Sequence, residues 1–357
     1  MAAPIKLHPL AIIIILLSFT VQAFSESESK APGQCRSESV GGCHDKAEAL
    51  KLKVIAIFTI LVTSMIGVCL PLFSRSVQAL QPDRDLFVLV KAFASGVILA
   101  TGYMHVLPDS FDDLRSECLP EKPWRKFPFS TFVAMLAAVL TLMVDSVALS
   151  YYKKRYAKAA VVGDGEKAKN GTIELGDVGH GHVMSPHVHS ITEEVTQLLR
   201  HRVVAQVLEL GIVVHSVVIG LSMGASGNSC TIRPLVIAIC FHQLFEGMGL
   251  GGCILQAEYG TKMKAILVFF FSITTPFGIA LGMGLSNVYT DNSPSALIVE
   301  GLLNAASAGL LNYMALVDLL ASDFMGPKLQ GSLKLQMWAC SAVLLGAGGM
   351  SLMAKWA

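Results

Sequence analysis

Two short stretches, HSVVIG at residues 215–220 and HQLFEG at residues 242–247, each place ionisable side chains in the middle of a long apolar run. Runs of this length and polarity predict helices that cross a bilayer. An ionisable residue at membrane depth is costly, so His215, His242 and Glu246 predict a functional site. His242 and Glu246 are four residues apart and therefore share one face of a helix.

The two histidines are predicted to lie at the same depth. A turn near Asn228 or Ser229 separates the two runs, with His215 14 residues before Ser229 and His242 13 residues after it. In an antiparallel helical hairpin this spacing places both imidazoles within ~2 Å of one level. Two imidazoles and a carboxylate that converge there suit a borderline divalent cation such as Zn²⁺. The alternative is that each histidine only packs or hydrogen-bonds between helices.

The composition is that of a membrane protein. Of the 357 residues, 53% are hydrophobic and 15% are charged, against about 25% charged residues in a typical soluble domain. The net charge of +1 gives no case for a nucleic-acid partner. The eight cysteines include no CxxC pair, which excludes a zinc ribbon or a thioredoxin-like motif.

The first 23 residues are predicted to be a signal peptide. Lys6 precedes a short apolar core, and residues 21–23 form a small-residue cleavage site. The alternative is a first transmembrane helix, for which the core is too short. Residues 24–50 are then a polar extracellular segment, in which Cys35 and Cys43 are candidates for a disulfide with Cys118 as a competitor.

An all-α membrane protein with eight transmembrane helices is predicted, because eight apolar runs each approach the ~20 residues that a bilayer requires. Helices 1–3 fall within residues 51–152 and helices 4–8 within residues 203–357. The expected spans are 54–74, 86–107, 129–151, 203–225, 232–256, 265–287, 295–319 and 335–355. Polar residues concentrate in spans two to five and seven, which favours a central pathway over a lipid anchor.

The segment between spans three and four, residues 153–202, is the most basic part of the chain and is therefore expected in the cytosol. Eight spans then place the N and C termini outside the cell, although four basic residues in the loop at 108–128 oppose this orientation. The cytosolic segment is expected to be largely disordered. It holds a histidine cluster that predicts a weak, exchangeable metal site, or else a solvated linker: His180, His182, His187 and His189.

A second polar cluster falls at the outer end of span two. Its members are His105, Asp109, Asp112 and Asp113. They predict an electrostatic funnel that concentrates cations at an entrance, the alternative being a solvated helix end. Asp145 and Glu300 are candidates for contacts with the ion along its path, the alternative being that one of them is an ion-pair partner of Lys91. Without such a partner, Lys91 is expected to extend its ammonium group to the cytosolic surface.

The sequence resembles the ZIP family of metal-ion transporters (ZRT, IRT-like proteins), specifically the plant and fungal branch. The matching stretches are KAFASGVILATG at residues 91–102, VHSVVIG at 214–220 and CFHQLFEG at 240–247. The resemblance implies an inverted-repeat bundle, in which spans one to three and six to eight are related by pseudo-symmetry around spans four and five. It also implies movement of divalent metal into the cytosol.

The family's transport site falls on His215, His242 and Glu246 of this sequence. Members with a two-metal centre carry Asn directly after the first histidine and a carboxylate four residues after it, where this chain has Ser216 and Ile219. They carry Asp where this chain has Gln243. One principal metal ion is therefore expected. Ser216 and Gln243 are predicted as weak ligands, or as hydrogen-bonding residues between helices.

The expected cargo is Zn²⁺, with Fe²⁺ second and Mn²⁺ or Cd²⁺ as further candidates, and no prosthetic group is expected. The expected location is the plasma membrane, with a vacuolar or other endomembrane as the alternative, and a homodimer is considered. An intramembrane metalloenzyme is a competing function, but the HExxH motif of metalloproteases is absent. A metal sensor is the other competitor, and it predicts binding without flux.

Overall fold

The computed structural model describes residues 45–73, 84–167, 186–285 and 293–354, and the secondary structure within these ranges is helical. Within the described residues, eight helices are long and apolar enough to cross a membrane. They are α1, Lys46–Phe73; α2, Asp85–Leu114; α3, Phe129–Lys167; α4, Pro186–Ala225; α5, Ser229–Gln256; α6, Thr261–Leu285; α7, Pro294–Phe324; and α8, Leu333–Ala354. The prediction of an all-α protein with eight spans is confirmed.

Two helices continue well beyond the predicted spans. α3 runs on to Lys167 and α4 begins at Pro186, so part of the segment expected to be disordered is helical. Residues 153–160 are rich in Lys, Arg and Ala, which are good helix formers, and contain neither Gly nor Pro. Extending a helix that already exists needs no new nucleus, so the hydrogen-bond ladder continues past the bilayer.

The turn between α4 and α5 lies where the apolar pattern places it. α4 ends at Ala225, and α5 begins at Ser229 after Asn228 as its N-cap. The Asn228 side-chain oxygen accepts from the backbone N–H groups of Cys230 at 3.0 Å and Thr231 at 3.4 Å. This cap satisfies two of the free N–H groups at the helix start. It fixes the hairpin that carries the two histidines.

The helices pack into two groups. The first helix group consists of α1, α4, α5 and α6, and the second of α2, α3, α7 and α8. Within each group the backbones approach closely at glycine: a Cβ on Gly309 of α7 would lie 2.1 Å from the carbonyl oxygen of Ala134 on α3. Between the groups, α2 faces α5 and α7 faces α4. The centre of the molecule is thus an interface between two internally packed groups.

Two of these central helices contain a π-helical segment. The segment Thr101–Val106 interrupts α2 and carries His105, and the segment Met314–Ala321 interrupts α7 and carries Asp318. A π-helical turn holds more residues than an α-helical turn and so rotates the side chains that follow. Such segments occur frequently at functional sites.

Two cysteines at one end of the bundle, Cys118 and Cys230, are disulfide-bonded. Cys118 was expected only as a competitor for a disulfide, and the involvement of Cys230 was not anticipated. Cys35 and Cys43 lie outside the described residues. Disulfides persist in oxidising compartments, so bonded cysteines in the α2–α3 loop and at the start of α5 are compatible with the exported location predicted for both.

Candidate metal centre

Three side chains from the α4–α5 hairpin converge at the centre of the bundle. One ligand atom from each of His215, His242 and Glu246 lies within 4.8 Å of the other two. The ring centroids of the two histidines are 5.7 Å apart. The three residues are 2%, 1% and 0% exposed, respectively. The expectation that spans four and five bring these groups to one depth agrees with this geometry.

The polar atoms of this cluster have few partners of their own. Among the described residues, neither ring nitrogen of His215 and neither carboxylate oxygen of Glu246 has a hydrogen-bond partner. Burying polar groups without partners costs free energy, and burying a carboxylate costs more. A divalent cation could bind one nitrogen of the His215 imidazole together with the Glu246 carboxylate, since both groups are ligands for borderline metals.

A third imidazole borders the same cluster. The His105 ring centroid lies 5.9 Å from that of His242 and 6.4 Å from that of His215. His105 is 5% exposed and its Nε2 has no partner among the described residues. Its place differs from the outer entrance at which the sequence put it, because the π-helical segment turns it towards the α4–α5 hairpin. His105 therefore borders the cluster, whose converging ligand atoms belong to His215, His242 and Glu246.

The three acidic residues predicted with His105 lie further along α2. Asp109 is 51% exposed, and one of its carboxylate oxygens lies 3.9 Å from His105 Nδ1. Asp112 is exposed, while Asp113 is half-buried and accepts a hydrogen bond of 3.5 Å from Asn304 on α7. The acidic residues thus lie above the histidines, at the C-terminal end of α2. The role of these residues as an entrance funnel stays a prediction.

The two predicted weak ligands are both buried. Ser216 and Gln243 are each 1% exposed and directly follow the two site histidines in sequence. The Ser216 hydroxyl and the Gln243 side-chain nitrogen have no hydrogen-bond partner among the described residues. Each is therefore open to a further ligand or water, although neither can supply the charge of a carboxylate.

A second acidic pair lies on the other side of the cluster. The Tyr313 hydroxyl of α7 is 3.5 Å from Asp145 Oδ2 of α3. Asp318 is 3% exposed, and neither of its carboxylate oxygens has a partner among the described residues. The sequence singled out Asp145, but it gave Asp318 no role beyond its place in span seven. Glu300, the other candidate along the path, is half-buried on α7.

The remaining predicted residues lie apart from this centre. Lys91 pairs with Asp323 at 2.9 Å, so neither Asp145 nor Glu300 is its partner. His180 and His182 lie outside the described residues. His187 and His189 fall in the first turn of α4, far along that helix from His215.

Comparison with known proteins decides the family. Residues 50–354 match the family described as ZIP zinc transporter. The chain belongs to the ZIP family. This ZIP protein is therefore a multi-pass membrane transporter of divalent metal ions, which are its substrates and not prosthetic groups.

Relatives of known name share most of this ZIP chain. Fe(2+) transport protein 1 of Oryza sativa subsp. japonica is 65% identical over 337 residues, which cover 92% of this chain and 89% of the relative. Fe(2+) transport protein 1 of Arabidopsis thaliana is 58% identical, with 97% of each chain covered. Probable zinc transporter 10 of Arabidopsis thaliana is 57% identical, with 97% of this chain and 98% of the relative covered. The names divide between iron and zinc.

The position of His105 leads to a first prediction. His105→Ala should raise the metal concentration for half-maximal uptake on the order of tenfold or more, because a nearby imidazole is lost while the candidate ligands on α4 and α5 remain. Met104→Ala is the matched control, since Met104 lies in the same π-helical segment but is 51% exposed. Uptake kinetics of both variants at equal surface expression measure the effect. Equal half-maximal concentrations for the two variants would remove His105 from the site.

Proposed function

We propose that this ZIP protein carries Zn²⁺ into the cytosol across the plasma membrane, through a site built on His215, His242 and Glu246. The convergence of these three buried groups within 4.8 Å is the observation that carries the proposal. Nitrogen-rich ligation with one carboxylate suits Zn²⁺, and three or four protein ligands without thiolate permit release of the ion. Closed thiolate sites would hold the metal too firmly for transport.

The placement of the other acidic residues supports a path for the ion through the bundle. Asp109, Asp112 and Asp113 would attract the hydrated cation at the outer end of α2. The buried site would then replace most of its water. Asp318 and Asp145 lie beyond the site on α7 and α3, and they would receive the ion on its way to the cytosol. The loop histidines His180, His182, His187 and His189 would bind it there weakly.

The inward direction depends on orientation. The basic segment at residues 153–202 supports a cytosolic location for the α3–α4 connection. The disulfide-bonded Cys118 and Cys230 support an exported location for the opposite end of the bundle. Both observations favour extracellular termini. The same orientation in an endomembrane would release stored metal into the cytosol, and localisation of a tagged protein separates these cases.

Fe²⁺ is the second candidate cargo, because a relative 65% identical to this chain is named an Fe(2+) transport protein. Imidazole and carboxylate ligands accept both ions, so the ligand set alone does not choose between them. Mn²⁺ and Cd²⁺ are further candidates on the same ground.

Uptake of radioactive Zn²⁺ and Fe²⁺ into cells that lack their own importers tests the proposal. Saturable Zn²⁺ uptake, with Fe²⁺ competing less well, is the expected result. Preferred Fe²⁺ uptake would replace zinc by iron as the cargo. Absence of uptake for both metals, with the protein at the cell surface, would contradict the proposal.

A further inference from the structure

A buried lysine joins three helices at the end of the bundle that is expected to face the cytosol. The ammonium nitrogen of Lys91, on α2, donates to Asp323 Oδ1 of α7 at 2.9 Å and to the side-chain oxygen of Gln256, on α5, at 3.1 Å. Lys91 is only 6% exposed. An ammonium group has three N–H donors, so it can serve both acceptors at once.

The bond to Gln256 crosses from one helix group to the other. Lys91 and Asp323 belong to the second group, whereas Gln256 is the last residue of α5 in the first group. Several other long-range hydrogen bonds of the described residues join helices of one group. Examples are Lys53 Nζ to the Gly224 carbonyl, Arg202 Nε to the Ala257 carbonyl, Ser110 Oγ to the Gly301 carbonyl and Asn304 Nδ2 to Asp113.

Much of the contact between the groups is apolar and weakly directional. Phe93 of α2 packs on Phe245 of α5 with ring centroids 4.7 Å apart. Gly249 of α5 faces the end of the Ile98 side chain. Apolar contacts of this kind give little preference for one relative position of two helices in lipid. A buried hydrogen bond to a charged group is directional and stronger than one between neutral groups.

We propose that the Lys91–Gln256 hydrogen bond is an inner latch, which keeps the two helix groups together at the cytosolic end and breaks when that end opens to release metal. The inference rests on the proposed transport function. Asp323 keeps the Lys91 ammonium in place within the second group, so the latch opens by loss of Gln256 alone. Arg200 of α4 lies within electrostatic reach of Asp145 on α3 and adds a weaker attraction across the same interface.

A native cysteine, Cys253, lies where its reactivity would report this opening. Cys253 is a free thiol on α5, three residues before Gln256, and it is 3% exposed. It lies within electrostatic reach of Lys91 and Asp323. Separation of the two groups at this end would expose Cys253 to water. The rate at which a small maleimide modifies Cys253 therefore measures the population of the open form.

The test compares the rate of Cys253 modification by N-ethylmaleimide in purified, metal-free protein, followed by mass spectrometry of the Cys253 peptide. Gln256→Met keeps the length of the side chain but removes the oxygen acceptor. It should react about tenfold faster than the wild type, the effect expected for one hydrogen bond to a charged group. Gln256→Leu should behave in the same way. Gln256→Glu keeps an acceptor for Lys91 and should react no faster than the wild type.

Asp85→Asn is the matched control. It breaks an ion pair at the same end of the bundle, Asp85 with Lys328 at 3.7 Å, but both partners belong to the second group or its connection to α8. It should leave the modification rate unchanged. Gln256→Met and Gln256→Leu at the wild-type rate, or Asp85→Asn as fast as Gln256→Met, would overturn the latch. Only variants that elute as one monodisperse peak in size-exclusion chromatography, like the wild type, are compared.

This readout separates the latch from the proposed transport function. The modification is measured without metal, so it does not depend on which ion is carried or on whether uptake occurs. Faster modification of Gln256→Met with no Zn²⁺ or Fe²⁺ uptake by the wild type would support the latch and contradict the proposed transport function. Normal uptake with unchanged modification would support that function and overturn the latch.

Discussion

Glu246→Gln should reduce metal uptake to the background of untransfected cells, a fall in transport efficiency of at least about 100-fold. Glu246 is the only carboxylate in the buried trio with His215 and His242, and it is 0% exposed. Glutamine preserves the shape of the side chain but removes the negative charge that offsets a divalent cation in a low-dielectric site. Uptake of radioactive metal at equal surface expression measures the effect.

Two comparisons make this result specific. Glu121→Gln applies the same chemical change to a residue that is 64% exposed and pairs only loosely with Lys126 at 3.8 Å, so its uptake should equal that of the wild type. Glu246→Asp keeps the charge but shortens the side chain, and it should retain part of the uptake. Full uptake by Glu246→Gln would move the transport site away from the α4–α5 hairpin.

Gly309→Ala should prevent most of the protein from folding, because the added methyl group meets backbone that cannot move aside. The new Cβ would lie 2.1 Å from the carbonyl oxygen and 2.9 Å from the carbonyl carbon of Ala134. Overpacking costs about 1–3 kcal/mol when side chains can adjust and more when they cannot, so separating two backbones should consume much of the about 5–15 kcal/mol that stabilises a folded protein. The fraction of protein that elutes as a monodisperse peak in mild detergent, with its thermal midpoint, measures the loss.

Gly348→Ala makes the same substitution on α8, where nothing lies within 4 Å of the added methyl group. It should match the wild type or melt slightly higher, since alanine favours a helix over glycine by up to about 1 kcal/mol. A normal monodisperse peak for Gly309→Ala would show that α3 and α7 are not in backbone contact. That result would contradict the close packing of the second helix group.

The sequence predicts most of the fold because a bilayer permits few solutions. Eight apolar runs predict eight helices, and the polar break at Asn228 predicts the hairpin that aligns His215 with His242. The ends of α3 and α4 were less predictable. Outside the bilayer the limit set by hydrophobic length disappears, and the Lys-, Arg- and Ala-rich residues 153–160 favour continuation of α3, which ends at Lys167.

The position of His105 shows a different limit. The sequence grouped His105 with the acidic residues at the outer end of span two. The π-helical segment Thr101–Val106 instead turns the His105 side chain towards His215 and His242. The partner of Lys91 could not be predicted from the sequence either, since Asp323 is 232 residues away along the chain. Such pairs depend on how α2 and α7 pack, which apolar periodicity does not encode.

X-ray absorption at the zinc edge of purified, zinc-loaded protein is the most direct test of the buried site. We expect one zinc ion per chain, with nitrogen and oxygen ligands at about 2.0–2.2 Å and the scattering pattern of at least two imidazoles. His242→Ala should lose one imidazole from that pattern together with most of the bound zinc. Zinc ligated by sulfur at about 2.3 Å, or a spectrum that His242→Ala leaves unchanged, would contradict a site built on His215, His242 and Glu246.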